Sequence, residues 1–179
     1  MISCITSRKS GRSASFKLKS DCFLKLLRRL PDWKVIDDLA KWVVDQTITV
    51  YQGAETRNDF FLLHAVTSAW SLRQLLKVDL PKADALEMLT HFLCAFLAFY
   101  LVQRRPKIVA ANLTTPDVSS MTWEDIIESA LKKDVGSTDE HTYKLVQVCH
   151  EQSKSDLGTP MDAVYKRAAI TALSTDLAF

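Results

Sequence analysis

A chain of 179 residues, 47% of them hydrophobic, is long enough for one domain with its own core. Four Gly and five Pro disfavour a turn-rich β fold, and a net charge of +2 points to neither nucleic acid nor an acidic surface as partner. The four cysteines, Cys4, Cys22, Cys94 and Cys149, form no CxxC pair. With no secretory signal, they read as free thiols in a reducing compartment, the cytoplasm.

Residues 1–20 hold five Lys or Arg, six Ser and no acid, a composition that predicts a disordered start. A mitochondrial transit peptide shares that character, but no convincing amphipathic helix accompanies it. From residue 21 to 179 the pattern is helical. Asp21 to Leu30 reads as a short helix ended by Pro31. Asp32 caps a second, to about Tyr51, with Ile36, Leu39, Ala40, Val43, Thr47 and Val50 on one face and Gly53 as its C-terminal signal.

Asp59 to Val78 is apolar nearly all the way round, which places it in the middle of a bundle. His64, Thr67, Ser68 and Ser71 cut a polar stripe along it at i, i+3, i+4 and i+7. Such a stripe, if buried, needs partners from the rest of the chain. Pro81 opens the next helix, which runs to about Arg105. Its apolar run Leu86 to Val102, broken by Glu87 and His91, is shorter than the ~20 residues of a spanning helix. It reads as a buried core helix and not as a membrane span, with a membrane-dipping helix left open.

Lys107 to Met121 reads as an exposed loop, and Thr122 begins a helix to Lys133. Ser137 with Glu140 forms a capping box for a helix from Asp139 to about Ser155. Thr159-Pro160 opens the last helix, to about Ser174. No strand pattern, repeat or glycine-rich phosphate loop interrupts the series. The expectation is an all-α, single helical-bundle domain of roughly six to seven helices.

The four histidines fall on helices. His64 lies on the apolar helix, and His91 lies on the next, with Glu87 and Cys94 one turn either side. In an antiparallel hairpin turning near Asp79 these two imidazoles stand roughly 5 Å apart in height, near enough to share a site but not compelled to. His141 sits in the first turn of its helix, where the dipole disfavours imidazolium and keeps the ring neutral for ligation or base catalysis. Its neighbours Leu145 and Val148 make that face apolar, and Lys144 beside it is expected to point inward. A lysine so placed tends to shed its proton, and neutral it can bind a metal or be carbamylated, or else its stem snorkels. His150, about half a turn round from His141, is discounted. A histidine on an apolar helix is also a common core residue with its hydrogen bonds satisfied. The stripe Phe92, Phe96, Phe99 and Tyr100 reads as packing, and Arg104, Arg105 and Lys107 read as a solvated helix end.

These same residues carry a resemblance. Asn58-Asp59-Phe60-Phe61-Leu62-Leu63-His64-Ala65-Val66-Thr67-Ser68 resembles a motif of the questin oxidase-like family, as do Trp123 to Ile127 and Asp139 to Val146, and Tyr165 to Ala169 is similar to that family's closing helix. The likeness extends over residues 32–175. It implies an all-α oxidoreductase that opens an aromatic ring of anthraquinone or polyketide type by oxygenation. It further implies NADPH as reductant and non-haem iron held by histidines with a modified lysine. Carried onto this chain, His64 and His141 are the catalytic and metal-ligating candidates, with Lys144 and His91 as further ligands. Family members are about twice as long, with a histidine-rich N-terminal half. The chain is therefore expected to be a C-terminal piece, with an apolar face for the missing half or for a second copy. The alternative is a non-catalytic helical module that keeps the fold without a working metal site.

Overall fold

The computed structural model describes residues 36–133 and 139–178. Its most enclosed element is α1, Ile36–Gly53. Leu39, Ala40, Val43, Val44, Thr47, Ile48 and Tyr51 recur at helical spacing along α1 and are all buried. Each fully buried aliphatic side chain contributes about 2 kcal/mol. Asp37 and Asp38 favour the first turn through the helix dipole.

Around α1 pack α2 (Phe60–Leu75), α3 (Lys82–Val102), α5 (Glu140–Ser153), α6 (Pro160–Ser174) and a short 3-10 turn at Ala110–Leu113. Helix α4, Trp123–Leu131, leans on α5 and α6. The only β-type pairings among the described residues are two isolated bridges, Ala54 with Ile108 and Asp59 with Ala178. The architecture is an all-α, single helical domain. The helix expected over Asp21 to Leu30 lies outside the described residues.

Three local expectations change. Gly53 does end α1, but it shows no positive φ; a Cβ there would lie 2.9 Å from Ile108 Cγ2. The glycine permits a close approach, in which Val109 N–H donates to Gly53 O at 2.7 Å and Glu55 N–H to Lys107 O at 2.9 Å. For the same reason Lys107 to Met121 is not a free loop. Asn112 Nδ2 donates to Ala54 O, Val118 is buried, and Arg167 clamps the carbonyls of Leu113 and Pro116 at 2.9 Å each. Helix α5 is capped by Asp139, which accepts from His141 N–H, while Ser137 lies outside the described residues.

The two greasy helices also sit differently from expectation. Helix α2 buries Leu62, Leu63, Val66 and Ala69 on one side, while Ser68 and Ser71 face solvent. Its polar stripe needs no remote partners. His64, Thr67 and Ser71 each bond a carbonyl three or four residues back, at Phe60, His64 and Thr67. Helix α3, expected in the core, buries only Ala85 and Leu89. It rests on α1 and α2 along one edge, and among the described residues its outer side carries no other helix. The helix that is surrounded is α1.

Across α1, α5 and α6 runs a polar layer. Asp45 accepts from Lys41 Nζ at 2.8 Å, Gln152 Nε2 at 2.9 Å and the Tyr165 hydroxyl at 2.7 Å. Lys41 also pairs with Asp156 at 2.5 Å. Burial pushes the Tyr165 hydroxyl well above its ordinary range, and the flanking carboxylates push it further, so it stays protonated as a donor.

Candidate functional site

The site begins with how α2 starts. Asn58 adopts left-handed backbone, φ 52°, a conformation asparagine tolerates better than most residues. Asp59 then caps the helix by accepting from Leu62 N–H at 2.9 Å. Phe60 N–H is held by Ala178 O at 2.8 Å, so the C-terminal segment fixes this first turn in place. One turn on, His64 Nδ1 lies 2.8 Å from Phe60 O. A carbonyl only accepts, so Nδ1 carries a proton, and in the neutral ring Nε2 is the nitrogen with the lone pair.

His141 arrives from α5. Its ring Nδ1 bonds the Asp139 carboxylate, which also accepts from its backbone N–H at 2.8 Å. These two bonds hold the Asp139 carboxyl below the usual carboxylate range, the backbone bond contributing most. Carboxylate on Nδ1 again leaves Nε2 as the available nitrogen. The carboxylate also opposes the helix dipole that was expected to act alone on this ring.

The two imidazoles meet. Their ring centres lie 4.7 Å apart with planes inclined at 49°. Phe60 touches both, 4.2 Å from the His64 ring centre and 5.3 Å from that of His141.

Beside them lies a half-open cleft of ≈ 320 Å³ between α2 and α3. His64, Phe61, Ala65 and Ser68 form one wall, and Phe92, Ala95, Phe96 and Phe99 form the other. Its lining is almost wholly apolar, with His64 and Ser68 as the polar groups. Three members of the phenylalanine stripe read as packing thus line a cavity, while Tyr100 instead donates to Pro106 O at 2.8 Å.

The other two candidates stand apart. Lys144, expected inward, is exposed, with its Nζ 2.8 Å from Glu140 Oε1 one turn earlier. Helical periodicity explains the correction: Leu145 and Val148 face the core, and Lys144 falls just past the edge of that face. His91 is exposed on α3 and does not line the cleft, because the edge of α3 that meets α2 is the one bearing Phe92, Phe96 and Phe99. His150 packs on Trp123, ring centres 5.2 Å apart, away from the pair.

The geometry bears on iron. His64 and His141 each have the tied Nδ1 and available Nε2 of a ligating histidine. A third ligand is lacking: among the described residues no group of three His, Cys, Asp or Glu is placed to hold a metal ion. The expected set His64, His141, Lys144 and His91 does not assemble. The described residues do not fit an iron centre.

Phe60 and Asp139 were legible only in hindsight. Phe60 is one turn before His64, and Asp139 stands at a cap position two residues before His141. Both spacings are consistent with the contacts found, but neither requires them.

No curated protein and no solved structure matches the chain. The questin oxidase-like family does match, over residues 25–149, a stretch that includes both histidines and ends before the closing helix expected to share the likeness. Covering most of its length, that match places the chain in the questin oxidase-like family.

Proposed function

We propose that the chain is an oxidoreductase acting on an electron-rich, hydroxylated aromatic ring of anthraquinone or polyketide type. The observation that carries the proposal is the meeting of two imidazoles, remote in sequence, beside an aromatic-lined cleft. An apolar cleft with few polar groups suits a flat, poorly hydrated ring system. The phenylalanines supply stacking surface and exclude water.

The histidines handle protons. With Nδ1 committed to Phe60 O, the neutral His64 ring presents Nε2 as the nitrogen that accepts the proton of a phenolic hydroxyl. The resulting phenolate is richer in electrons and reacts more readily with dioxygen. His141, its Nδ1 on Asp139, is a second base and stabilises charge on the neighbouring ring. Monooxygenation places one oxygen atom in the product and releases the other as water. The two electrons this requires would be supplied by NADPH, the reductant that the family resemblance implies.

The test is turnover by the full chain with a dihydroxyanthraquinone probe, NADPH and oxygen, followed as oxygen uptake and product mass. Replacing His64 or His141 by Ala is expected to lower turnover by about 10²–10⁴ while the probe still binds. Undiminished turnover in the double variant refutes the assignment. Probe binding with no oxygen uptake by the unaltered chain supports the non-catalytic module instead.

A further inference from the structure

The outer side of α3 plays no part in the proposed chemistry. Among the described residues α3 is the helix long and apolar enough to cross a membrane, yet only 11% of its apolar stretch is buried. From Met88 to Gln103 it carries no Asp, Glu, Lys or Arg. Leu86, Leu97 and Leu101 recur along one outward line, and Val102 is 77% exposed. Ile108 continues the apolar surface past the helix end.

Immediately beyond stand three cations. Arg104, Arg105 and Lys107 are exposed, and none makes an ion pair among the described residues. One carboxylate, Glu55, sits close by, accepting from Lys107 N–H at 3.2 Å. Arg104 and Arg105 both adopt left-handed backbone, φ 60° and 58°. Side chains with a Cβ occupy that region at a cost in free energy, and glycine or asparagine meets it more cheaply. The turn is fixed by Arg105 N–H on Tyr100 O at 2.9 Å and by the Tyr100 hydroxyl on Pro106 O. Two adjacent arginines in a strained, tied turn beside an apolar surface suggest that their side chains are what the turn is for.

We propose that this face of α3, with Arg104, Arg105 and Lys107, seats the chain on an anionic lipid surface. The apolar line enters the boundary between headgroups and acyl chains while the cations meet phosphate and carboxylate headgroups. Spanning is not implied. Ala85 and Leu89 pack into the domain, and the chain after α3 returns at once to pair with Gly53 and Ala54, so one side of the helix stays on the protein. A lipid surface suits the chemistry better than a protein partner does. Beyond His91 the exposed positions of α3 are all apolar, Glu87 and His91 standing toward its other end, and the cations past Val102 are all of one sign.

The experiment is co-sedimentation of the full chain with phosphatidylcholine vesicles, with and without phosphatidylserine. Binding is expected only with the anionic lipid and is expected to fall with added salt. The triple variant Arg104→Ala, Arg105→Ala, Lys107→Ala should lose roughly a hundredfold in partition. Val102→Glu, at an exposed position that can take a charge without unfolding, should also weaken it, and circular dichroism verifies the fold of both. Equal partition into neutral vesicles, or unchanged partition of the triple variant, overturns the proposal. So does a dimer formed without lipid and broken by Leu101→Glu, with no vesicle binding, which assigns the face to a second copy.

Discussion

Replacing Asn58 with Ala tests how the site is anchored. Asn58 is buried, accepts the Tyr51 hydroxyl at 2.7 Å and donates to Thr175 O at 2.6 Å. Its own carbonyl accepts Ala178 N–H at 3.0 Å. Alanine leaves the Tyr51 hydroxyl unpaired in the interior, at about 1–3 kcal/mol, whereas Thr175 is exposed and its carbonyl can turn to water. The left-handed backbone adds about 1 kcal/mol, since alanine lacks the local bonding that helps asparagine adopt it. With the backbone cost the sum is about 3 kcal/mol. That corresponds to a fall of roughly 6–12 °C in Tm for a domain of this size. Urea unfolding followed by circular dichroism measures it, with an unchanged m-value showing that the change lies in stability. Asn58→Gly, free of the backbone cost, should recover about 1 kcal/mol. Tyr51→Phe combined with Asn58→Ala in a double-mutant cycle should show a coupling of about 1 kcal/mol or more. A loss under about 1 kcal/mol in Asn58→Ala at constant m refutes the claim that this residue locks the start of α2.

Two further outcomes follow from the same coordinates. Arg73 Nε and Nη2 bond Asp37 at 2.9 Å each and Nη1 bonds Gln152, so Arg73→Ala should cost about 1–2 kcal/mol, most of it from Gln152 because Asp37 is solvent-screened. The Arg73 bond holds the Asp37 carboxyl below its ordinary 3.8, so the pair stabilises the fold above that pH and its contribution fades as pH falls through the lowered value. The gap between the urea midpoints of the two proteins should therefore hold constant above about pH 5 and narrow as pH falls through the lowered value, keeping the share that Gln152 supplies; a gap that does not narrow contradicts the pairing. Lys144→Ala should leave both the unfolding midpoint and turnover within error, since its partner is an exposed glutamate; lost turnover would return Lys144 to the site.

That the chain is helical and, within a few residues, where the helices run can be read along the sequence without its fold. Asp59, Thr159 and the Pro at the head of α6 are local signals, acting through backbone N–H groups a few residues away, so they can be read without knowing the neighbours. The histidines were legible as candidates on their helices and through the motif around them. What lies inside was not legible. Asp59–Val78 and Leu86–Val102 are more continuously apolar than Ile36–Gly53, yet α1 is the enclosed helix and α3 is the exposed one. Apolarity says that a surface tends to leave water, and only packing decides whether another element covers it. Lys144 failed for a related reason, because its outward turn depends on where the core begins across the face of α5. The meeting of His64 with His141 rests on α2 and α5 packing side by side, with Ala178 tying down the first turn of α2. Those contacts join segments far apart in the chain, and no spacing along it encodes them.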